Sequence, residues 1–274
     1  MRGRRSPVSP AADFLVIGSG VAGLRAAIEL SRSGRVLVLT KGHPLQSSSI
    51  HAQGGVAVAL SEEDDVAIHL TDTLKAGHGL CRKEAVRVLV EEGPARIQEL
   101  IRWGASFDKT GGKFAFAREA AHSRSRILRA RGDATGNEMV RVLIGEAMRQ
   151  RRIQRLDYHF TVDLIVEGGR CAGALVLDEH SGRRFLLPAR AVVLTTGGAG
   201  QIFARTTNPA NATGDGVAMA LRAGAVLQDM EFVQFHPTAL YQPSSPPFLL
   251  SEAMRGDGAQ LRNSKGEVFM HRYH

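Results

Sequence analysis

The sequence predicts an α/β fold: a Rossmann-like parallel sheet with an antiparallel β-meander inserted, followed by the start of a second domain. Three observations carry this. Residues 13–41, DFLVIGSGVAGLRAAIELSRSGRVLVLTK, run from an apolar segment through a glycine turn and an alanine-rich amphipathic stretch to a second apolar segment. From Leu156 to Leu187, short alternating segments are broken at Gly168-Gly169 and Ser181-Gly182, the pattern of an antiparallel meander. Residues 189–200, ARAVVLTTGGAG, form a further apolar run ending in glycines, which returns the chain to the parallel sheet.

In the first segment, Phe14 to Ile17 and Val36 to Leu39 read as strands flanking one helix. The turn between them is Gly18-Ser19-Gly20-Val21-Ala22-Gly23, a GxGxxG in its proper context. Gly18 permits the tight turn, Gly20 lets the backbone approach a pyrophosphate, and Gly23 lets the helix pack closely on the strand. The pyrophosphate then meets the positive end of the helix. This turn predicts dinucleotide binding; the alternative is a plain strand-to-helix turn. Where such sites place a ribose-binding acid, this chain has Thr40-Lys41-Gly42, which argues against a generic NAD site. Lys41 meets a phosphate or a flavin-side group, or is a solvated surface lysine.

A glycine-rich loop, QSSSIHAQGGVAVAL, occupies 46–60. Helical periodicity follows over 64–76, 83–103 and 136–150, and 105–135 is irregular. Asn211-Ala212-Thr213-Gly214-Asp215 leads into a helix over 215–224, with Asp215 suited to its N-cap. Residues 232–274 read as loop and strand. The boundaries expected are a disordered lead over 1–12, a nucleotide-binding domain over 13–231 and a truncated second domain over 232–274.

Composition removes several classes. Of 274 residues, 43% are hydrophobic, enough for a sizeable core. No apolar run approaches a bilayer span, so no membrane segment is expected. The basic, Pro/Ser-rich start lacks an apolar signal core, so no export is expected. Cys81 and Cys171 have no CxxC partner, which argues against zinc and against a disulfide scaffold and suits a reduced cytoplasmic setting. The net charge of +8 raises nucleic acid as a partner, yet the arginines are scattered and only 5% of residues are aromatic. An anionic cofactor and substrate explain the positive charge better.

Further motifs stand in order along the chain: GSGVAGL, SSSIHAQGGVA, EAAHSRSRIL with GDATG, TTGGAGQIF with TTNPANATGDGVAMALRAGA, EFVQFHPTAL and LLSEAMRGDGAQL. From Asp13 onward the chain closely resembles the flavoprotein family of L-aspartate oxidase, fumarate reductase and the succinate dehydrogenase flavoprotein subunit. The resemblance implies an FAD-binding domain, with residues 232–274 beginning a capping, substrate-binding domain. It implies FAD along Gly18, Ser19, Gly20, Val21, Ala22 and Gly23, with Lys41 and Asp215 at the flavin site. Ser48, Ser49, Ile50, His51, Ala52, Gln53, Gly54 and Gly55 would wrap the flavin. Covalently flavinylated members carry a histidine five residues before the Gln of the QGG segment; Ser48 stands there and His51 does not match. Non-covalent FAD is therefore expected, with His51 packed nearby.

Arg118-Glu119-Ala120-Ala121-His122-Ser123-Arg124 is similar to the REGGHS segment of aspartate oxidases, in which the glutamate faces the substrate amino group. Glu119 is thus the expected amine-recognition residue; the alternative is a surface glutamate paired with a nearby arginine. Ala120-Ala121 replaces two glycines. His236 and the Ser251-Glu252 pair match dicarboxylate-binding positions, and their donor groups suit a carboxylate. The resemblance implies oxidation of L-aspartate to iminoaspartate with oxygen or fumarate as acceptor, opening NAD biosynthesis and supplying quinolinate synthase. A soluble fumarate reductase is the alternative enzyme, and a non-catalytic FAD-binding fragment the alternative class. Family members are much longer and place a proton-shuttling arginine beyond this stretch. The chain ends at His274, so a partial chain with an incomplete catalytic site is expected.

Overall fold

The computed structural model describes residues 12–236, 238–243, 245, 247–251, 254, 256 and 258–273. In chain order the first elements are β1 (Phe14–Ile17), α1 (Val21–Leu30), β2 (Val36–Leu39), β3 (Val56–Ala57), α2 (Val66–Ala76) and α3 (Lys83–Arg102). Next come β4 (Lys109–Thr110), β5 (Lys113–Phe114), β6 (Phe116–Ala117), β7 (Ile127–Leu128), α4 (Thr135–Arg149) and β8 (Ile153–Leu156). The rest are β9 (His159–Glu167), β10 (Arg170–Asp178), β11 (Arg184–Pro188), β12 (Ala191–Leu194), α5 (Asp215–Arg222), β13 (Ala239–Leu240) and β14 (Phe248–Leu249). Two compact units result, one drawn from Met1–His51, Met139–Phe235 and Gln242–Pro247, the other from Ala52–Glu138, His236–Tyr241 and Phe248–His274.

The first unit is built on a parallel sheet in the order β12-β1-β2-β8. Strand alternation gives it two apolar faces. Leu15, Ile17, Leu37 and Leu39 pack with Ala174, Val176 and Leu187 of the meander. Val16, Val36 and Val38 point the other way and pack with Ala27 of α1. The meander itself is antiparallel, β11-β10-β9, as expected. The stretch expected to begin at Leu156 begins at His159 instead: Leu156 ends β8, which lies on the parallel sheet beside β2. Only its end residues are even partly covered, so its four residues lack a strand's apolar alternation.

In the second unit, α3 buries Val86, Val90, Ile97 and Leu100 at helical spacing. The Asp65 carboxylate caps α2, accepting from the Ala67 and Ile68 N–H groups at 2.7 and 3.1 Å. The stretch expected to be irregular holds a β4–β5 hairpin and the β7 and β6 strands of a three-stranded sheet with β3. Two-residue strands have no period of their own; partner geometry defines them.

Arg126 organises this unit. It is fully buried, one of the arginines that lie scattered along the sequence. Its Nε and Nη2 donate to the two Asp64 oxygens, both at 2.8 Å, and Nη1 donates to Asp72 Oδ2 at 2.7 Å. The His122 Nδ1 lies 3.3 Å from the same Nη1. Burial first, and the Arg126 charge second, hold His69 and His122 below the ordinary imidazole range. Burial works against ionisation of Asp72, but the Ser123 N–H and hydroxyl and Arg126 outweigh it and lower its carboxyl.

The sign of the acid response follows. The histidines are held neutral in the fold and take a proton near about pH 6.5 when unfolded. Their contribution is complete above that pH and is lost as pH falls through their lowered folded values. Asp72, also lowered, contributes above about pH 4 and is lost further down. Urea midpoints measured from pH 8 to pH 3 should fall in these two stages, and His69→Phe should flatten the first. Asp64→Asn at neutral pH should destabilise by about 3–5 kcal/mol, because it leaves a buried charge half paired. A midpoint that is flat between pH 7 and pH 5 would refute the histidine assignment.

Candidate functional site

A cavity of about 300 Å³ opens in the first unit at the C-terminal ends of β1, β2 and β12. This is where open α/β sheets bind ligands. The glycine turn Gly18–Ala22 forms one wall, with Lys41, Gln46–Ser49, Thr195–Gly198 and Asp215 around it.

Gly18 adopts φ 112°, and a Cβ there would collide with the Thr195 carbonyl. A Cβ on Gly23 would strike the Gly18 carbonyl oxygen, so α1 lies against the turn with no space between. The Thr195 hydroxyl donates to the Ile17 and Gly18 carbonyls at 2.9 and 3.1 Å and locks the turn to the end of β12. The sequence reading missed Thr195; its one signal was a hydroxyl directly after a buried strand.

Gly20 caps α1 without a side chain, and no acidic residue stands in the first turn. The helix therefore presents its positive end, about half a charge, uncompensated. The Val21 N–H donates to Ser49 Oγ at 3.2 Å. Ser47, which also lines the cavity, has a buried hydroxyl with no partner among the described residues. A glycine cradle, a positive helix end and an orphaned hydroxyl fit the phosphates of a dinucleotide. Ser48 and Ser49 line the cavity; Ile50 and His51 complete the short 3-10 turn but do not, and His51 is exposed.

Lys41 is not a lone solvated lysine. Its ammonium donates to Asp215 and to the Thr213 hydroxyl. Asp215 is the first residue of α5 rather than its N-cap, which is Gly214. A carboxylate does stand at the end of β2, then, but α5 supplies it.

The remaining predicted residues that the structure describes lie in the second unit. The Ala52 carbonyl accepts from the Gly136 N–H at 2.9 Å, and the Gly54 carbonyl from the Thr135 hydroxyl at 3.1 Å. Gln53 Oε1 is buried without a partner among the described residues, and Gly55 backs onto Ile127. Glu119 is not a surface residue: its side chain is 14% exposed and Oε1 lies 3.3 Å from Arg129 Nη2. Its loop turns at Ala121, which takes φ 67°, a conformation that favours glycine. Asp72 anchors the loop, accepting from the Ser123 N–H and hydroxyl at 2.9 and 2.8 Å. His236 uses Nδ1 locally, 2.9 Å from the Thr238 carbonyl. The Leu250 N–H donates to the Thr238 carbonyl, so the β13–β14 pair brings His236 and Ser251 to one end of a ribbon. Glu252 lies outside the described residues.

Among the described residues no cluster of His, Cys, Asp or Glu could hold a metal ion, and no helix is long and apolar enough to cross a membrane.

A family model described as "FAD binding domain" matches residues 13–274. An L-aspartate oxidase of Streptomyces coelicolor is 50% identical, covering 96% of this chain and 47% of its own. One from Nostoc sp. is 46% identical, covering 96% and 45%. A solved quinol fumarate reductase of E. coli superposes with a TM-score of 0.89 at 32% identity, covering 96% of this chain and 45% of its own. The chain thus spans about half the length of the curated relatives it matches.

The two inner glycines should respond differently. An added methyl at Gly20 meets only the Ser49 hydroxyl, at 3.0 Å, so Gly20→Ala should fold and lose flavin occupancy. Gly23→Ala should itself destabilise by about 1–3 kcal/mol through overpacking. Flavin retention together with thermal melts reads both, and full occupancy in Gly20→Ala would show that the turn is not the phosphate site.

Proposed function

The chain belongs to the FAD binding domain family and its cofactor is FAD; on that premise we propose that the protein oxidises L-aspartate to iminoaspartate. FAD held here would supply the two-electron acceptor for the hydride on the substrate carbon, with the amine nitrogen giving up a proton and oxygen or fumarate as the final electron acceptor. The observation that carries this reading is Glu119, a carboxylate shielded from water in a segment where dicarboxylates alone would gain nothing from negative charge. It receives the substrate ammonium as a charge-assisted hydrogen bond. His236 and Ser251, with Glu252, bind the side-chain carboxylate of the substrate. Gly18, Ser19, Gly20, Val21, Ala22 and Gly23 hold the pyrophosphate, Ser48 and Ser49 reach the flavin side, and Asp215 serves the cofactor with Lys41 as its counter-ion. The whole protein would open NAD biosynthesis in the cytoplasm and pass its product to quinolinate synthase. Identity to L-aspartate oxidases supports the activity, and two unpaired cysteines suit a reducing compartment.

The flavin is held without a covalent bond, because Ser48 offers no imidazole for flavinylation. Acid precipitation of the purified protein should release FAD to the supernatant; yellow colour in the pellet would overturn this assignment.

Glu119→Gln keeps the shape and removes the charge. A hydrogen bond to a charged group is worth about 1.5–3 kcal/mol, so kcat/KM for L-aspartate should fall about 10- to 150-fold. Fumarate reduction should change much less. Equal losses in both activities would return the soluble fumarate reductase reading to equal standing.

A further inference from the structure

Arg129 is the point at which three segments of the second unit meet. A Cβ built on Gly55, at the end of the QGG loop, would lie 3.2 Å from Arg129 Cγ. The guanidinium Nη2 stands 3.3 Å from Glu119 Oε1. A Cβ on Gly256, just beyond Ser251-Glu252, would lie 3.5 Å from the same Nη2 and 3.6 Å from the Arg118 carbonyl. The pair is mostly buried, at 13% and 14% side-chain exposure. A shielded glutamate would by itself repel any dicarboxylate; here an arginine neutralises it.

We infer that Arg129 is the second half of an amino-acid recognition pair. Glu119 and Arg129 satisfy each other until L-aspartate enters by exchange. The ammonium then goes to Glu119 and the α-carboxylate, two bonds away, to Arg129. Adjacent opposite charges on the substrate match adjacent opposite charges on the protein, and the guanidinium fork suits a carboxylate. Succinate and fumarate have no ammonium. Their capture of Arg129 would strand the Glu119 carboxylate uncompensated, which is costly in a shielded place. The pair therefore rejects dicarboxylates that lack the amine. This assignment rests on the L-aspartate reading given above.

The test measures dissociation constants from the flavin absorbance of the FAD-loaded protein. The probes are L-aspartate, succinate and 3-aminopropionate, which is L-aspartate without its α-carboxylate. Arg129→Gln should weaken L-aspartate about 10- to 150-fold, the range for a hydrogen bond to a charged group. It should leave 3-aminopropionate nearly unchanged. Glu119→Gln combined with Arg129→Gln should bring L-aspartate and succinate close to equal affinity. Should Arg129→Gln lose its flavin, Arg129→Lys keeps the charge without the fork and should weaken L-aspartate by a smaller factor, again sparing 3-aminopropionate. Equal weakening of L-aspartate and 3-aminopropionate, or no weakening of either, overturns the role of Arg129 while the L-aspartate reading stands. A parent protein that binds succinate and ignores L-aspartate overturns both.

Discussion

Between Gly18 and Gly23 the backbone folds onto itself with no room for a side chain, and the first unit is arranged around that contact. Helix α1 can start only where the Gly18 carbonyl faces a bare Cα. The Thr195 hydroxyl then fixes the turn to β12 through two carbonyls. With the helix set at that distance, Val16, Val36 and Val38 reach Ala27 on one face, while Leu15, Ile17, Leu37 and Leu39 are left to the meander. Each such side chain contributes about 1.5–3 kcal/mol on burial. The same closeness aims the uncompensated end of α1 into the cavity, so the packing requirement and the binding requirement meet in one turn.

In the second unit a charge takes the place of the glycine contact. Arg126 has no exposure to water, so its guanidinium must be satisfied from within, and Asp64 and Asp72 do this from either end of a stretch that includes the start of α2. Asp72 also takes both donors of Ser123. The chain between Glu119 and Arg129 is thereby held at its middle by Asp72 and at its ends by the Glu119–Arg129 pair. Ala121 can keep a left-handed backbone angle there because these tertiary bonds outweigh a local penalty of about 1–2 kcal/mol.

The legible parts of this protein are those in which local pattern and final structure impose the same demand. Three glycines at fixed spacing between two apolar runs admit little but a strand, a tight turn and a helix. The meander declared itself by alternation and by its two glycine-bearing turns. β8 stayed hidden because its residues carry no strand period, and the two-residue strands because pairing alone defines them. Charged residues were the least legible. Arg126 reads like its solvated neighbours until Asp64, 62 residues away, is seen beside it, and Lys41 reads as unattached until Asp215, 174 residues away, closes on it. Composition records a charge but not its partner.

The strand order β12-β1-β2-β8 also has a consequence in time. Strand β1 lies inside the sheet, yet its neighbour β12 is made long after it. The Thr195 hydroxyl that seals the end of β1 is 178 residues downstream of Ile17. At roughly 5–20 residues per second, translation needs roughly 10–35 s to supply it. Through that interval the chain can form β1, α1 and β2 but must carry a bare apolar strand edge, FLVI, into a crowded solution. Such edges template association with other chains. The strand order that closes the finished cavity therefore leaves the nascent chain with an unpaired edge on β1 until β12 is made.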